Sequence, residues 1–313
     1  MNDHVERPRM PSGMQYEIRS GDQRAVATEV GATLRAYDVS DVAVLDGFSV
    51  GEFAPGGRGQ VLAPWPNRLG GRYTYGGREG NAALDEPERG NAIHGLVRWL
   101  EWQALSHTES AVALGCRLHP QPGYPWQLEL RVEYSLGEQG MTVTTEATNH
   151  SDSAAPFGVG FHPYLTVGTP SVDSTLLMIP AKQRLVADER MLPVGTAQLA
   201  GTEFDFADEH AIGSTRLDTD YTDLVPDADG RIAAVLSTPN RDREVTIWAE
   251  AGYRHLMVFT GDTLEPPVRR QSVAIEPMTC PPDAFRSGID LIRLEPGESW
   301  RARWGITPLV RSS

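Results

Sequence analysis

Along much of this chain apolar and polar residues alternate with a period of two. Between Trp126 and Leu136 the apolar side chains are Trp126, Leu128, Leu130, Val132, Tyr134 and Leu136, and Gln127, Glu129, Arg131, Glu133 and Ser135 fill the gaps. Such alternation places one row of side chains on a core and the other in water, which predicts a half-buried strand. The pattern resumes over Met141–Ala147 after Gly137-Glu138-Gln139-Gly140, so the two segments read as a hairpin. It returns in Trp300, Ala302, Trp304 and Ile306. Further strands are expected at Tyr16–Arg19, Ala25–Val30, Thr33–Tyr37, Trp102–Ser106, Ala111–Leu118, Ile232–Thr238, Val245–Ala249, His255–Thr260 and Val273–Glu276. Helical periodicity is scarce, and no long helical segment carries both caps. Closely spaced strands with turn chemistry between them predict an all-β fold, a sandwich or barrel rather than βαβ units.

Length changes this picture little. A chain of 313 residues is compatible with one large β unit. The expected division is a loose N-terminal tail over 1–13 and a single β-sandwich catalytic domain over 14–313, with the last residues fraying. The net charge of −14 argues against nucleic acid and anionic membrane as partners. Two cysteines make neither a disulfide framework nor a CxxC metal site. No apolar leader or membrane-length apolar run is present, so a cytoplasmic location is the default expectation.

Three polar segments interrupt the alternation: Pro64–Gly71 with its continuation Asn91–Arg98, Phe157–Gly168, and Glu276–Arg286. Loops at sheet ends are where sites are commonly placed. His162 and Glu276 each precede a proline, which pushes the preceding backbone into an extended conformation and restricts where the side chain starts. His94 precedes Gly95, where backbone can approach a ligand closely. Arg68 offers a planar fork of donors for hydroxyls or carboxylates. Trp65 offers an apolar face for a sugar ring. Each has a plain structural reading as well: a satisfied histidine, a strand-end carboxylate, an ion-pair arginine, a core tryptophan.

Taken together, Pro64-Trp65-Pro66-Asn67-Arg68, Ile93-His94-Gly95, His162-Pro163-Tyr164 and Ile275-Glu276-Pro277-Met278-Thr279, closed by Leu294-Glu295-Pro296-Gly297-Glu298, resemble the aldose 1-epimerase (galactose mutarotase) family over roughly residues 15 to 308. The resemblance implies a large twisted antiparallel β-sandwich, the galactose mutarotase-like supersandwich, with a substrate groove on one sheet. It implies His162 as the acid at the ring oxygen and Glu276 as the base at the anomeric hydroxyl, with Arg68, His94, Asn67 and Trp65 around the sugar. It also implies a sugar-binding aspartate three residues before an aromatic. Asp218, ahead of Tyr221, fits best, and Asp220 and Asp223 compete for that place. The segments after His162 and after His94 depart from those of the galactose-active members, which bears on the sugar rather than on the reaction.

Exchange of anomers needs one acid and one base, so no cofactor and no metal is expected. The expected partner is a free monosaccharide, such as glucose or galactose, bound to a monomer or homodimer. The expected starting state has His162 protonated and Glu276 ionised. The alternatives are a hexose-6-phosphate mutarotase, for which Arg72, Arg98, Arg269 and Arg270 are available, and a non-catalytic sugar-binding sandwich. A glycosidase using Asp218 and Glu276 is a weaker third, since it leaves the histidines without a role.

Overall fold

The alternating segment around Leu130 forms the strand Leu128–Gly137, which turns through Gly137 and Gly140, themselves paired, into Gly140–Asn149. This hairpin lies near the middle of a nine-stranded antiparallel sheet in a computed structural model that describes residues 10–310. In spatial order the strands are Gln103–His107, Ala111–Leu118, Leu128–Gly137, Gly140–Asn149, Ser299–Val310, Arg243–Ala249, Ile232–Ser237, Leu176–Met178 and His210–Ala211. Leu128, Leu130, Val132 and Tyr134 are buried while Glu129 is exposed, as the period of two requires. Burying each such apolar side chain contributes about 1.5–3 kcal/mol.

An eight-stranded sheet faces this one. Its order is Pro193–Gln198, Ala181–Ala187, Asp218–Leu224, His255–Phe259, Val273–Met278, Gly160–Phe161 and Val61–Leu62, with Tyr164–Leu165 also paired to Val273–Met278. Phe161 of this sheet packs on Trp304 of the other at 4.9 Å between ring centroids. One continuous hydrophobic cluster, including Trp102, Trp126, Trp304, Phe157 and Ile275, fills the interior. A four-stranded sheet, Gln15–Ser20, Gln23–Thr28, Leu34–Val39 and Val42–Ala43, adds to it through Ile18, Ala25 and Tyr37.

Register decides what the eight-stranded sheet shows on each face. Thr219, Val258 and Ile275 are cross-strand partners, and so are Asp220, Met257 and Glu276. The two rows are adjacent, so their side chains point to opposite faces. Val258 and Ile275 belong to the hydrophobic cluster, which sends Asp220, Met257 and Glu276 to the outer face.

One expectation is corrected and two details are added. Glu276 does not open a loop: it lies inside Val273–Met278, where every residue is buried, and the loop begins after Met278. Asp218–Leu224, unmarked by apolar alternation, is a strand. Of the expected tail over 1–13, Ser12 is fully buried and its carbonyl accepts the Val30 N–H, while residues 1–9, like 311–313, lie outside the described residues. Helix is confined among the described residues to Ala284–Ser287 and two short 3-10 turns.

Gly95 has a structural duty of its own. Its φ is 71°, and a Cβ there would lie 2.1 Å from the Ala63 carbonyl oxygen. Ala63 and Gly95 form a bridge, and the Leu96 N–H donates to the Ala63 carbonyl at 2.7 Å. Gly95→Ala is expected to cost about 3 kcal/mol or more, from left-handed backbone strain and a backbone clash. Urea unfolding measures it; a loss below about 1 kcal/mol would mean that the two segments are not locked together here.

Candidate active site

His162 and Glu276 come together from distant parts of the chain. Gly160–Phe161 pairs with Val273–Met278, so the chain reaches His162 directly beside the strand that carries Glu276. His162 Nε2 lies 3.3 Å from Glu276 Oε1, and the two residues are 5% and 2% exposed. The far atoms of the pair, His162 Nδ1 and Glu276 Oε2, are buried without a hydrogen-bond partner.

The imidazole is clamped. Tyr164 stacks on it at 5.0 Å with 7° between the rings, and His94 meets it edge-on at 5.4 Å. The Arg58 guanidinium lies 4.4 Å from the Tyr164 ring centroid and pairs with Asp46 at 3.0 Å. On the backbone side, the Gly59 N–H donates to the His162 carbonyl, and the His162 N–H donates to the Gln60 carbonyl. Two residues thus face one, with Gly59 at φ 69°, the pattern of a glycine bulge, a device often found where a side chain must be aimed. Gln60, missed by the sequence reading, keeps both amide atoms buried and unpartnered beside this bond.

Burial dominates the electrostatics of the pair. It pushes the His162 imidazole down to about 3, and Arg58 and Arg98 push the same way. It pushes the Glu276 carboxyl well above its usual range; Asp218 adds to this and Arg68 opposes it. Burial of Nδ1 and Oε2 away from partners and water disfavours both ionised forms. Both directions favour a neutral imidazole beside a protonated carboxyl over the imidazolium–carboxylate start expected from sequence. His94 is also driven well down, first by burial and then by His162, so it is neutral too.

The other candidates divide. Asn67, at φ 51° and buried, ties the first two segments together: its Oδ1 accepts the Arg68 N–H at 2.9 Å and its carbonyl accepts the His94 N–H at 2.8 Å. Arg68–Leu69 pairs with Ala92–Ile93, which sets Arg68 opposite Ile93 and His94 just beyond the end of the partner strand. Asn67, Arg68, Asp218, Asp220 and Met257 line one recess on the outer face of the eight-stranded sheet. Asp218 is solvent-accessible within it, yet crowding by protein raises its carboxyl despite Arg68 and Arg89. Asp223 sits at φ 52°, three residues beyond Asp220 and outside the lining of the recess. Trp65 is not the expected sugar platform: it is 3% exposed and packs edge-on against Phe285 in the core. Two roomier hollows lie elsewhere, one beside Arg72–Asn81 and one on the nine-stranded sheet, and neither is lined by a buried carboxylate.

Arg68 lines the recess and is also engaged as an ion-pair arginine. Its Nε and Nη2 atoms fork onto Glu86 at 2.9–3.1 Å, and Arg89 and Asn91 hold the same carboxylate. Both partners are largely buried. Glu86→Gln is expected to lower stability by about 3 kcal/mol, because it leaves a buried guanidinium short of its counter-charge. Chemical denaturation measures this; an unchanged midpoint would show the pair to be dispensable.

The arginines proposed for a phosphate are mostly engaged. Arg98 pairs with Asp85 at 2.5 Å, Arg270 with Asp262 and Asp173, and Arg269 donates to the Leu264 carbonyl. Among the described residues no group of three or more His, Cys, Asp or Glu is arranged to hold a metal ion, and no helix is long and apolar enough to cross a membrane.

A family model described as aldose 1-epimerase matches residues 14–307. The uncharacterized protein YihR of Escherichia coli K12 is 34% identical, over 94% of this chain and 93% of its own length. Among solved structures, a GalM/aldose epimerase homologue from C. elegans superposes with a TM-score of 0.84 at 18% identity, covering 96% of this chain and 99% of that one. A putative aldose 1-epimerase from E. coli K12 gives 0.82 at 21% identity, covering 95% and 99%. These likenesses make the fold a galactose mutarotase-like β-sandwich.

Proposed function

Since the chain belongs to the aldose 1-epimerase family, we propose that it interconverts the α and β anomers of a free aldose by acid–base ring opening. The observation that carries this reading is the buried His162–Glu276 contact at 3.3 Å. The ring oxygen and the anomeric oxygen of a pyranose are bonded to one carbon, so an acid and a base this close can serve both.

The resting pair stores one proton. A bound sugar brings hydroxyl donors to Glu276 and a lone pair to His162, which offsets the cost of ionising them and lets the proton pass to the imidazole. Glu276 then takes the proton of the anomeric hydroxyl as His162 protonates the ring oxygen. The bond from C1 to the ring oxygen breaks and leaves an aldehyde. Rotation about C1–C2 and reclosure, with both protons returned, give the other anomer. His94, Arg68 and Asn67 are assigned to the hydroxyls, together with Asp218. The engaged arginines favour an unphosphorylated sugar.

Polarimetry on freshly dissolved pure anomers of glucose and galactose tests this. Acceleration over buffer is the expected result, with hexose 6-phosphates poorer substrates. Sugar binding without acceleration would leave a binding module instead.

A further inference from the structure

Asp220 is buried, at 5% exposure, yet its Oδ2 has no hydrogen-bond partner, and the residue lines the same recess as Arg68, Asn67 and Asp218. It lies in the cross-strand row with Met257 and Glu276. Two strand spacings of about 4.8 Å therefore separate it from Glu276 on one face. Its other oxygen is fixed: Oδ1 contacts His255 Nδ1 at 2.8 Å. His255 is 1% exposed, and its Nε2 contacts Asp290 Oδ2 at 3.1 Å. Arg254 donates to the second Asp290 oxygen at 2.6 Å.

Burying a histidine and a carboxylate costs several kcal/mol that apolar side chains would not, so such a chain is poor value as packing alone. What it presents is one immobilised carboxylate oxygen in the wall of the groove. Burial works against a charged imidazole, but Asp220 and Asp290 outweigh it and push His255 up to about 9. The imidazolium is a donor at both nitrogens, which leaves Asp220 Oδ2 as an acceptor with nothing to accept.

We propose that Asp220 accepts a hydroxyl of the bound sugar through Oδ2, distinct from the contact assigned to Asp218, and that His255, braced by Asp290, is its positioning residue. This rests on the reading of the groove as a sugar site. The hydroxyl concerned lies toward the far side of the ring from the reacting carbon, since Glu276 holds the near side.

Affinities of D-glucose, D-galactose and their monodeoxy analogues, measured by NMR titration, test the proposal apart from catalysis. Asp220→Asn presents an amide where the free oxygen was. It is expected to weaken binding about tenfold and to abolish the penalty that the wild type shows for one particular deoxy analogue. His255→Asn places its amide nitrogen near the site of Nδ1, and His255→Gln places it near Nε2. The first is expected to bind within about threefold of wild type and the second about tenfold more weakly. A purely structural role would move both alike, so equal affinities in the two His255 variants overturn the positioning role. Wild-type affinities and deoxy penalties in Asp220→Asn overturn the contact itself. Wild-type protein that binds no aldose overturns this proposal and the sugar reading together. Binding without faster anomer exchange overturns only the catalytic reading.

Discussion

Glu276→Gln is expected to lower the rate of anomer exchange about a thousandfold, the usual scale for removing a positioned general base, and to leave the protein at least as stable as before. The loss follows because the amide has the same shape but accepts no proton. The stability follows from the sign of the shift. The carboxyl is raised well above its ordinary value by burial, so above the unfolded value near 4.5 the folded state bears the cost of either ionising it or holding its proton. Glutamine bears neither cost. The melting temperature at pH 7 should therefore be unchanged or higher, and the gain should vanish below about pH 4. Such a stability–activity trade-off is common at functional sites. Calorimetry with polarimetry on one preparation checks both halves, and a stable variant that keeps full activity would remove Glu276 from the mechanism.

His162→Asn should reduce exchange by about 10²–10⁴-fold with little change in affinity for the sugar, because the imidazole is assigned to the ring oxygen and not to the anchoring hydroxyls. The pH profile of the wild type bears on the same residue. The pair works with one proton, so kcat/KM falls in acid only when a second proton arrives. That proton must go to His162, which burial pushes down to about 3. It falls in alkali when the remaining proton leaves Glu276, whose value is raised. Both shifts widen the active range, and a flat profile through pH 6.5 is expected. An acid limb centred on 6.5 would mean that the imidazole is not desolvated in the working enzyme. The broad profile should be lost in His162→Asn.

Much of the sandwich was legible because strands of the nine-stranded sheet have one wet face. Leu128–Gly137 and Ser299–Val310 alternate cleanly, and there sequence and structure agree within a few residues. The sheet that carries the site was harder. Val273–Met278 is covered on both sides, so its apolar run breaks only at Glu276, and a carboxylate inside a buried strand reads like a loop boundary. Asp218–Leu224 has few apolar residues to mark it: Thr219 and Tyr221 serve the core, while the carboxylates at 218 and 220 line the outer face where the candidate site lies. The candidate pair itself was legible only through the combination of segments. Pre-proline positions are common, and no local pattern says that residues 162 and 276 share a contact. The partners that tune the pair were invisible for the same reason. Arg58 and Gln60 reach it through a bulge and loop contacts, which are long-range facts. Trp65 shows the converse case: an aromatic beside polar residues looks like a platform until packing against Phe285 places it in the core.

The direct test is a double-variant cycle in exchange kinetics, comparing His162→Asn, Glu276→Gln and the pair of substitutions by NMR saturation transfer between the anomers of one aldose. If the two side chains pass protons to and from one bound sugar as a unit, the double variant should be no slower than the slower single variant. Losses that multiply, in protein shown to be folded, would mean that the two residues act independently and would contradict the account.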